Sequence, residues 1–333
     1  GGEAGIAPIQ RGNEMLGWEK LWTTNLGLHL GFVNRVNLDV EVYNKRTSNM
    51  LMSVPVSYAD GGLGSRWDNV GVMINRGVEF QLGADVIRTK DFVWNVSANA
   101  SYNHNEITEL YNGLDEYEMS GTNTKLVVGH SYGEFYINRY AGVNPANGDA
   151  LWYDKDGNIT TEFNESDKVM VGKSRVAPWQ GGFGTSLTWK GITLSGQFSW
   201  VADRYMINND RYFEESNGLY TAFNQSKRLL YDRWKNPGDV TDIPRYGVTP
   251  QFDTHLLEDA SFLRLKNVTL SYVFPKSLLS KTNFFSSARV YVQGQNLLTF
   301  TRFSGLDPES TSNLYAAKYP MSRQFSFGLE VAF

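Results

Sequence analysis

A period-two alternation of apolar and polar residues constrains this chain more than any other feature, because it recurs in nine separate segments. The segment 91–105 is the clearest: apolar residues at even positions from Phe92 to Tyr102 alternate with asparagines and serines at odd positions. Alternation of this kind predicts β-strands with one apolar and one polar face. The predicted strands are residues 25–32, 35–46, 76–88, 91–105, 183–189, 192–200, 262–274, 288–295 and 325–333.

One predicted strand, 262–274, contains a break in this alternation. Leu263 and Leu265 fall on one parity, whereas the apolar residues from Val268 onward fall on the other. A single extra residue in the strand would return all of them to one face. We therefore predict a β-bulge near Lys266-Asn267.

The connections between the predicted strands alternate between short and long. The short ones are residues 33–34, 89–90, 190–191 and 275–286. The long ones are residues 47–75, 106–182, 205–261 and 301–321. Outer-membrane β-barrels have short periplasmic turns and long extracellular loops in alternation. The chain is therefore predicted to be all-β, a transmembrane antiparallel β-barrel whose long loops are extracellular.

The two strand faces agree with this prediction. Each strand carries four or five apolar residues on one face. With the strands tilted by ~40°, these residues form a band about 25 Å high, which is the height expected of a lipid-facing surface. The opposite face carries Asn, Ser, Gln, Asp and Glu, which suit a wet lumen. A soluble lipocalin-like barrel would show the reverse pattern.

Composition excludes several other classes. The 333 residues are 41% hydrophobic, yet no apolar run reaches the roughly 20 residues of a membrane-spanning helix. A net charge of −4 without Lys/Arg runs argues against nucleic-acid binding. The absence of cysteine excludes disulfide frameworks and thiolate metal sites.

The terminal segment alternates up to its last residue, with Phe325, Phe327 and Phe333 on one face. We expect Phe333 to act as a membrane-assembly signal at the periplasmic rim. Nine strands are an odd number, whereas single-chain bacterial barrels have even numbers, and an open sheet leaves two unpaired edges. The sequence is therefore expected to be the C-terminal part of a larger barrel.

The sequence contains little that matches known catalytic or metal-binding motifs. The glycine clusters at 61–64 and 181–184 lack the remainder of a phosphate-binding loop, and the four histidines are scattered. No enzyme activity and no cofactor are expected. The stretch Asp154-Lys-Asp-Gly-Asn158 resembles the start of a calcium loop, but its glycine and distal acid do not fall at EF-hand positions, so a plain Asp-Gly turn is the competing interpretation.

The long connections are rich in aromatic residues. Flat aromatic faces with polar rims stack on sugars or dock partner proteins. The alternative is that these rings pack the loops against one another. The candidate residues for binding substrate or a lid protein are Trp67, Trp152, Tyr153, Tyr205, Tyr212 and Trp234.

Several stretches together resemble the SusC/RagA-type TonB-dependent outer-membrane transporters. They are "GWEKLWTTNLGLHLGFVNRVNLDVEVYNKRTSNMLMSVPV", "NVGVMINRGVEFQL", "YAGVNPANGDALWYDKDGN", "FLRLKNVTLSYVFP", "ARVYVQGQNLLTFTRFSGLDPE" and "YPMSRQFSFGLEVAF". They occur in the order typical of that family and cover nearly all of the chain from Gly17 onward.

The resemblance implies a barrel of roughly 22 strands, of which these would be the last nine, with an N-terminal plug outside this sequence. Residues 1–17 would form an extracellular loop or strand lead-in, and residues 18–333 would form the C-terminal part of the barrel. It also implies TonB, outer-membrane lipid and a SusD-like surface lipoprotein as partners, a dimer of such pairs, and a Bacteroidota-type outer membrane.

The function that follows is active import of oligomeric nutrients, with glycans favoured over peptides because of the aromatic loops. A siderophore or cobalamin receptor is an alternative within transporters. A non-transporting barrel scaffold is an alternative of another class. A secreted glycan hydrolase would need an apolar interior and facing catalytic carboxylates, and the sequence supports neither.

Overall fold

The computed structural model describes residues 12–55, 65–119, 123–281, 284–310, 312, 314–316 and 319–333. The glycine cluster 61–64 and residues 1–11 of the predicted lead-in lie outside the described residues. The main element is a nine-stranded antiparallel sheet in which strands neighbour one another in chain order. Its strands are β1 Lys20–Phe32, β2 Val36–Ser48, β3 Val72–Arg88, β4 Phe92–Glu109, β5 Trp179–Trp189, β6 Ile192–Ala202, β7 Phe262–Val273, β8 Ser287–Thr301 and β9 Gln324–Ala332.

All nine predicted segments are strands of this sheet, which confirms the all-β antiparallel prediction. Eight of the nine strands extend one to six residues past the predicted segment at one end at least, because hydrogen-bond pairing continues past the last apolar position, whereas β7 ends at Val273, one residue earlier than predicted. β1 and β2, for example, pair without interruption from Lys20 opposite Ser48 to Phe32 opposite Val36.

The apolar face of the sheet is exposed, unlike that of a soluble sandwich. Leu26 is 73% exposed and Phe327 is 82% exposed, although both lie within paired strands. On the opposite face, polar side chains bond to one another, as Asn95 does to Asp85 and Asn103 to Asn75. A contiguous exposed apolar face of this size indicates a surface that lies against lipid or protein.

The predicted bulge is confirmed in β7. Leu265 pairs with Phe198 of β6 and Asn267 pairs with Gln197, so that Lys266 has no counterpart in the neighbouring strand. On the β8 side the register also shifts between Leu265 and Asn267, but there β8 carries the extra residue, because Leu265 pairs with Leu298 and Asn267 with Gln295. The extra residue in β7 returns the apolar residues on both sides of Lys266 to the outer face.

The short and long connections stand at opposite ends of the sheet, because strand direction alternates. In the β1–β2 turn, Val33 and Asn34 both adopt left-handed φ angles of 46° and 53°. These angles match a type I′ hairpin, whose twist suits adjoining strands. The β5–β6 turn is built similarly from Lys190 and Gly191.

The long connections contain four small sheets. The first consists of Leu51–Pro55 and Ser65–Asn69, and the second of Arg139–Val143, Ala150–Tyr153 and Ile159–Thr160. The third consists of Glu116–Met119, Thr124–Val127, Glu134–Ile137 and Val169–Ser174. The fourth consists of Tyr205–Asn208, Leu257–Asp259 and Leu314–Tyr315. We call residues 123–175 and 203–260 together the loop layer. It holds the main dry core, formed by Phe135, Ile137, Ile207 and Leu256.

Helices are short. The α-helices are Asn209–Glu214, Arg228–Tyr231 and Lys276–Leu279, and the 3-10 helices are Tyr111–Gly113 and Glu165–Asp167. The helix Arg228–Tyr231 lies in the long connection between β6 and β7. Within the part of the chain that the structure describes, no helix is both long enough and apolar enough to cross a membrane.

Aromatic rings cover glycines at two positions on the inner face of the sheet. Tyr291 of β8 pairs with Gly328 of β9, and Tyr43 of β2 pairs with Gly77 of β3. A Cβ atom at Gly328 would lie 2.2 Å from Cε1 of Tyr291, and one at Gly77 would lie 2.4 Å from the Tyr43 hydroxyl. Glycine is therefore required for each ring to lie flat across its neighbouring strand.

Candidate functional site

The inner face of the sheet carries a broad polar cavity of about 550 Å³. Because alternate residues of a strand share a face, the polar positions of β2 to β7 converge on this one wall. Its charged side chains are Asp39, Glu41, Glu79, Lys266 and Glu309. Between them lie neutral hydrogen-bonding groups, among them Gln81, Asn99, Ser101, Gln180 and Ser199.

The positive charge on this wall is already paired. Lys266 Nζ lies 2.7 Å from Glu309 Oε2, and buried Arg264 bonds both Glu309 and Asp307. Lys266 lies two residues after Arg264 on the same face of β7, and both side chains reach Glu309. In contrast, Glu41 and Glu79 lie directly opposite each other on β2 and β3. The charged groups of this wall are therefore net acidic.

The loop layer is held together by a connected group of charged side chains. Arg211 bonds Glu215 at 2.9 Å and Glu258 at 3.0 Å, and Arg228 bonds Glu215 at 2.8 Å and Asp242 at 2.7 Å. The bonded residues are up to 47 positions apart in the chain, as Arg211 and Glu258 are. Spacing along the chain carries no signal for this network, so it could not be inferred from the sequence.

Asp242 is the most perturbed carboxylate of the network. The imidazole of His255 and the guanidinium of Arg228 hold the pKa of Asp242 well below its ordinary value. His255 Nε2 lies 3.4 Å from Asp242 Oδ2. The Asp242 carboxylate therefore stays ionised and joins the residues around 228–242 to those around 255.

Trp152, a predicted ligand-binding residue, is buried, with 7% of its surface exposed. Its indole Nε1 donates to Oδ2 of Asp253 at 2.7 Å, and its ring meets that of Phe163 at 5.6 Å. Burial raises the pKa of Asp253 despite this hydrogen bond. The position of Trp152 matches the packing alternative that the sequence left open.

Tyr205 and Tyr212 both pack against the loop-layer core. The hydroxyl of Tyr205 accepts a hydrogen bond from Lys173 Nζ at 2.8 Å, which raises the pKa of that lysine. Tyr212 stacks on Phe252 at 4.3 Å, and burial raises the pKa of Tyr212 to about 12. Both rings are only partly accessible.

The remaining candidates are Tyr153, Trp234 and Trp67. Tyr153 lies under the guanidinium of Arg139, 5.4 Å from the ring centre. Trp234 donates to the carbonyl of Pro145 and covers the turn that contains Gly148. Trp67, on the strand Ser65–Asn69, is the most accessible of the predicted set, with 44% of its surface exposed.

Phe333 lies at the end of the sheet that carries the short connections. Its ring is 4.9 Å from that of Phe284 and 5.6 Å from that of Phe285. The backbone N–H of Ser286 donates to the carbonyl of Ala332. An aromatic cluster therefore surrounds the predicted assembly signal.

The Asp154–Asn158 stretch forms a compact turn. The Asp154 carboxylate accepts hydrogen bonds from both the backbone and the side chain of Asn158, and Gly157 has a positive φ of 89°. Across the described residues, no group of three or more His, Cys, Asp or Glu side chains is arranged to hold a metal ion. Asp154 is thus engaged as in an Asp-Gly turn.

Comparison with known proteins places these features in a family. The family model described as "TonB dependent receptor-like, beta-barrel" matches residues 3–297. The chain is 32% identical to the TonB-dependent receptor SusC of Bacteroides thetaiotaomicron, over 96% of this chain and 32% of that protein. It is 29% identical to the TonB-dependent receptor P3 of Formosa agariphila, over 99% of this chain and 36% of that protein.

Solved structures agree with the sequence comparison. The RagAB peptide transporter matches with a TM-score of 0.90 and 40% identity, over 97% of this chain and 36% of that one. The RagAB peptide importer in its "closed-closed" state matches with a TM-score of 0.89 and 41% identity. The chain spans about a third of the length of these relatives. With its exposed apolar outer face, polar inner wall and long loops at one end, it belongs to the family of TonB-dependent receptor β-barrels.

Proposed function

We propose that residues 18–333 form part of the barrel wall and the substrate-side loops of an active outer-membrane importer for oligomeric nutrients, with residues 1–17 as a lead-in. The observation that carries the proposal is a single sheet with one exposed apolar face and one polar face, whose long loops all stand at one end. Such a sheet is stable against lipid on one side and water on the other.

The inner wall suits passage of a polar substrate. Its amides, hydroxyls and carboxylates offer many weak hydrogen bonds around a 550 Å³ space. Binding that is spread over several such groups lets a hydrated oligomer enter and leave, whereas one strong site would trap it. The proposed role involves no covalent chemistry.

Oligopeptides are the substrate class that we favour. The glycan expectation depended on accessible loop aromatics, but Trp152 is buried and Tyr212 is stacked on Phe252. The solved relatives at 40% and 41% identity are described as a peptide transporter and a peptide importer. Glycans remain the second candidate, supported by the exposed ring of Trp67.

A SusD-like surface lipoprotein is the partner that we propose above the loops. The segment 219–246 exposes six large apolar side chains, which belong to Leu219, Phe223, Leu230, Tyr231, Val240 and Tyr246. Their backbone is nevertheless fixed, as in the bonds from Trp234 to Ile243 and from Gly247 to Asn217. Exposed apolar groups on an ordered backbone support a docking role. TonB, and pairing of two such transporter–lipoprotein units, complete the proposed assembly.

Uptake by the native bacterium tests the proposal. We expect deletion of the gene to abolish growth on a mixture of oligopeptides as the limiting nutrient but not on free amino acids, and disruption of TonB to have the same effect. The same strains grown on defined oligosaccharides test the second candidate. Undiminished growth of the deletion strain on both oligomer classes would contradict the importer.

A further inference from the structure

The outer face of the sheet contains a groove of about 550 Å³ at its long-loop end. Phe183 of β5, Trp200 of β6, Leu263 of β7 and Phe300 of β8 line it. Register places Trp200 opposite Leu263, and Leu263 opposite Phe300, so these three side chains share the outer face. The groove is therefore built across four adjacent strands.

A glycine shapes the floor of the groove. Gly181 of β5 pairs with Trp200, and a Cβ atom at Gly181 would lie 2.8 Å from Cζ2 of that indole. The indole consequently lies along the sheet instead of standing away from it. Phe183, which stacks on Phe198 at 4.7 Å, and Phe300 remain 44% and 57% exposed. The result is an open apolar channel with firmly positioned aromatic walls.

The long-loop end of the groove is polar. Arg302 and Asp259 line it there, next to the last residues of β8 and the first residues of β7. Arg302 is exposed and has neither an ion-pair nor a hydrogen-bond partner among the described residues. The carboxylate of Asp259 is engaged, because its Oδ1 accepts the backbone N–H of Ser261.

A second cation stands close to this polar end. Tyr205 and Asp259 are cross-strand partners, so their side chains share one face, and Lys173 bonds the Tyr205 hydroxyl. The carboxylate of Asp259 acts electrostatically on Lys173. The polar end therefore combines the Arg302 guanidinium, which has no ion-pair partner among the described residues, with the Lys173 ammonium group, which lies near the carboxylates of Asp203 and Asp259.

We propose that this groove is a specific site for an anionic, phosphate-bearing membrane lipid, with acyl chains along Trp200, Leu263 and Phe300 and its phosphate on Arg302. The groove continues the apolar outer face, which lies against lipid in the proposed function on which this inference rests. The Arg302 guanidinium, which has no partner in the part of the chain that the structure describes, supplies the complementary charge in the planar geometry that suits phosphate. Lipids without a phosphate would fill the channel but would offer no anionic group to Arg302.

The test uses the protein expressed from its complete gene and purified in a nonionic detergent. Native mass spectrometry measures the binding of dioleoylphosphatidylglycerol and dioleoylglycerol, which share acyl chains, whereas only the first carries a phosphate. We expect the anionic lipid to bind about tenfold more tightly, as one charge-assisted contact allows. Arg302→Gln removes this preference, and Phe300→Ala weakens the binding of both lipids.

Matched controls lie elsewhere on the sheet. Arg35→Gln removes an exposed arginine at the opposite end, and Phe325→Ala removes an exposed outer-face ring from β9. Both controls should leave binding unchanged. Equal affinity for the two lipids, an equal loss in Arg35→Gln, or full competition by inorganic phosphate would overturn the lipid site. A wild-type protein that shows no heat-modifiable barrel would instead contradict the proposed function.

Discussion

The ring of Phe333 lies 4.9 Å from the ring of Phe284, at a tilt of 70°, which joins the end of β9 to the connection that precedes β8. Edge-to-face aromatic contacts of this kind contribute about 0.5–1.5 kcal/mol each beyond area burial. Phe333 is also 75% exposed, so much of its surface remains free for another protein. It can therefore both fix the β8–β9 hairpin and be recognised during assembly.

This relationship predicts that Phe333→Ala lowers the amount of assembled barrel, whereas Phe333→Tyr retains most of it because the aromatic contact survives. The measurement is the fraction of outer-membrane protein that shows heat-modifiable migration. Phe223→Ala, which removes an exposed loop ring, is the control. Normal assembly of Phe333→Ala would contradict both the packing and the recognition role.

Because Trp152 is buried, we expect its substitution to destabilise the loop layer. Trp152→Ala removes a buried ring and should cost about 3–5 kcal/mol of local opening free energy. Trp152→Phe keeps part of the ring but leaves Asp253 Oδ2 without its indole donor, which costs about 1–3 kcal/mol. Hydrogen exchange of residues 139–160 measures both values.

The exposed tryptophan of the candidate set serves as the comparison for Trp152. Trp67→Phe should change the opening free energy by no more than about 0.5 kcal/mol. If oligomer binding falls in Trp152→Ala while hydrogen exchange in the loop layer stays at the wild-type rate, Trp152 contacts the substrate directly and the packing role is wrong.

Asp242 predicts a pH dependence. Because its pKa is lower in the folded loop layer than its ordinary value, the Asp242 carboxylate stabilises the fold above about pH 4, and this contribution is lost as the pH falls below that value. Asp242→Asn should therefore open the loop layer more readily at pH 7, and its difference from wild type should shrink toward pH 3.

Limited proteolysis of the loop layer between pH 3 and pH 7 measures the Asp242 effect. Asp156→Asn changes an exposed carboxylate in the turn 154–157 and should behave as wild type at every pH. A constant difference between Asp242→Asn and wild type over the whole range would show that the ion pairs with His255 and Arg228 do not contribute.

Gly328 predicts a steric effect in the sheet. A methyl group there would lie 2.2 Å from Cε1 of Tyr291, so Gly328→Ala must displace that ring, at a cost of about 1–3 kcal/mol. We expect a lower thermal unfolding midpoint and less assembled barrel. Gly27→Ala is the matched control, because no described atom lies within 4 Å of a Cβ atom placed at Gly27. Equal behaviour of the two variants would refute the ring-over-glycine arrangement.

The turn at Asp154–Asn158 predicts insensitivity to calcium. The Asp154 carboxylate already accepts two hydrogen bonds from Asn158, which occupy the oxygens that an ion would need. Removal of divalent cations with a chelator should therefore leave the thermal unfolding midpoint and the protease resistance of this turn unchanged. A midpoint lowered by the chelator and restored by calcium, but not by magnesium, would establish a calcium site.

The sequence alone determined the sheet. Alternation is a local property, so nine strands, their two faces and the bulge at Lys266 could be inferred residue by residue. The alternating connection lengths indicated a membrane barrel, because strand direction reverses at each connection and so fixes which end each loop occupies. The family motifs led to the same fold independently.

The tertiary structure alone decided what the loop residues do. The sequence pattern around an aromatic residue in a long connection does not show whether the ring is buried, as that of Trp152 is, or accessible, as that of Trp67 is. The partners of Arg211 and His255, and the meeting of Arg302 with the groove around Trp200, join residues that are far apart in the chain. Such contacts depend on long-range packing between loops, for which neither periodicity nor spacing leaves a local pattern.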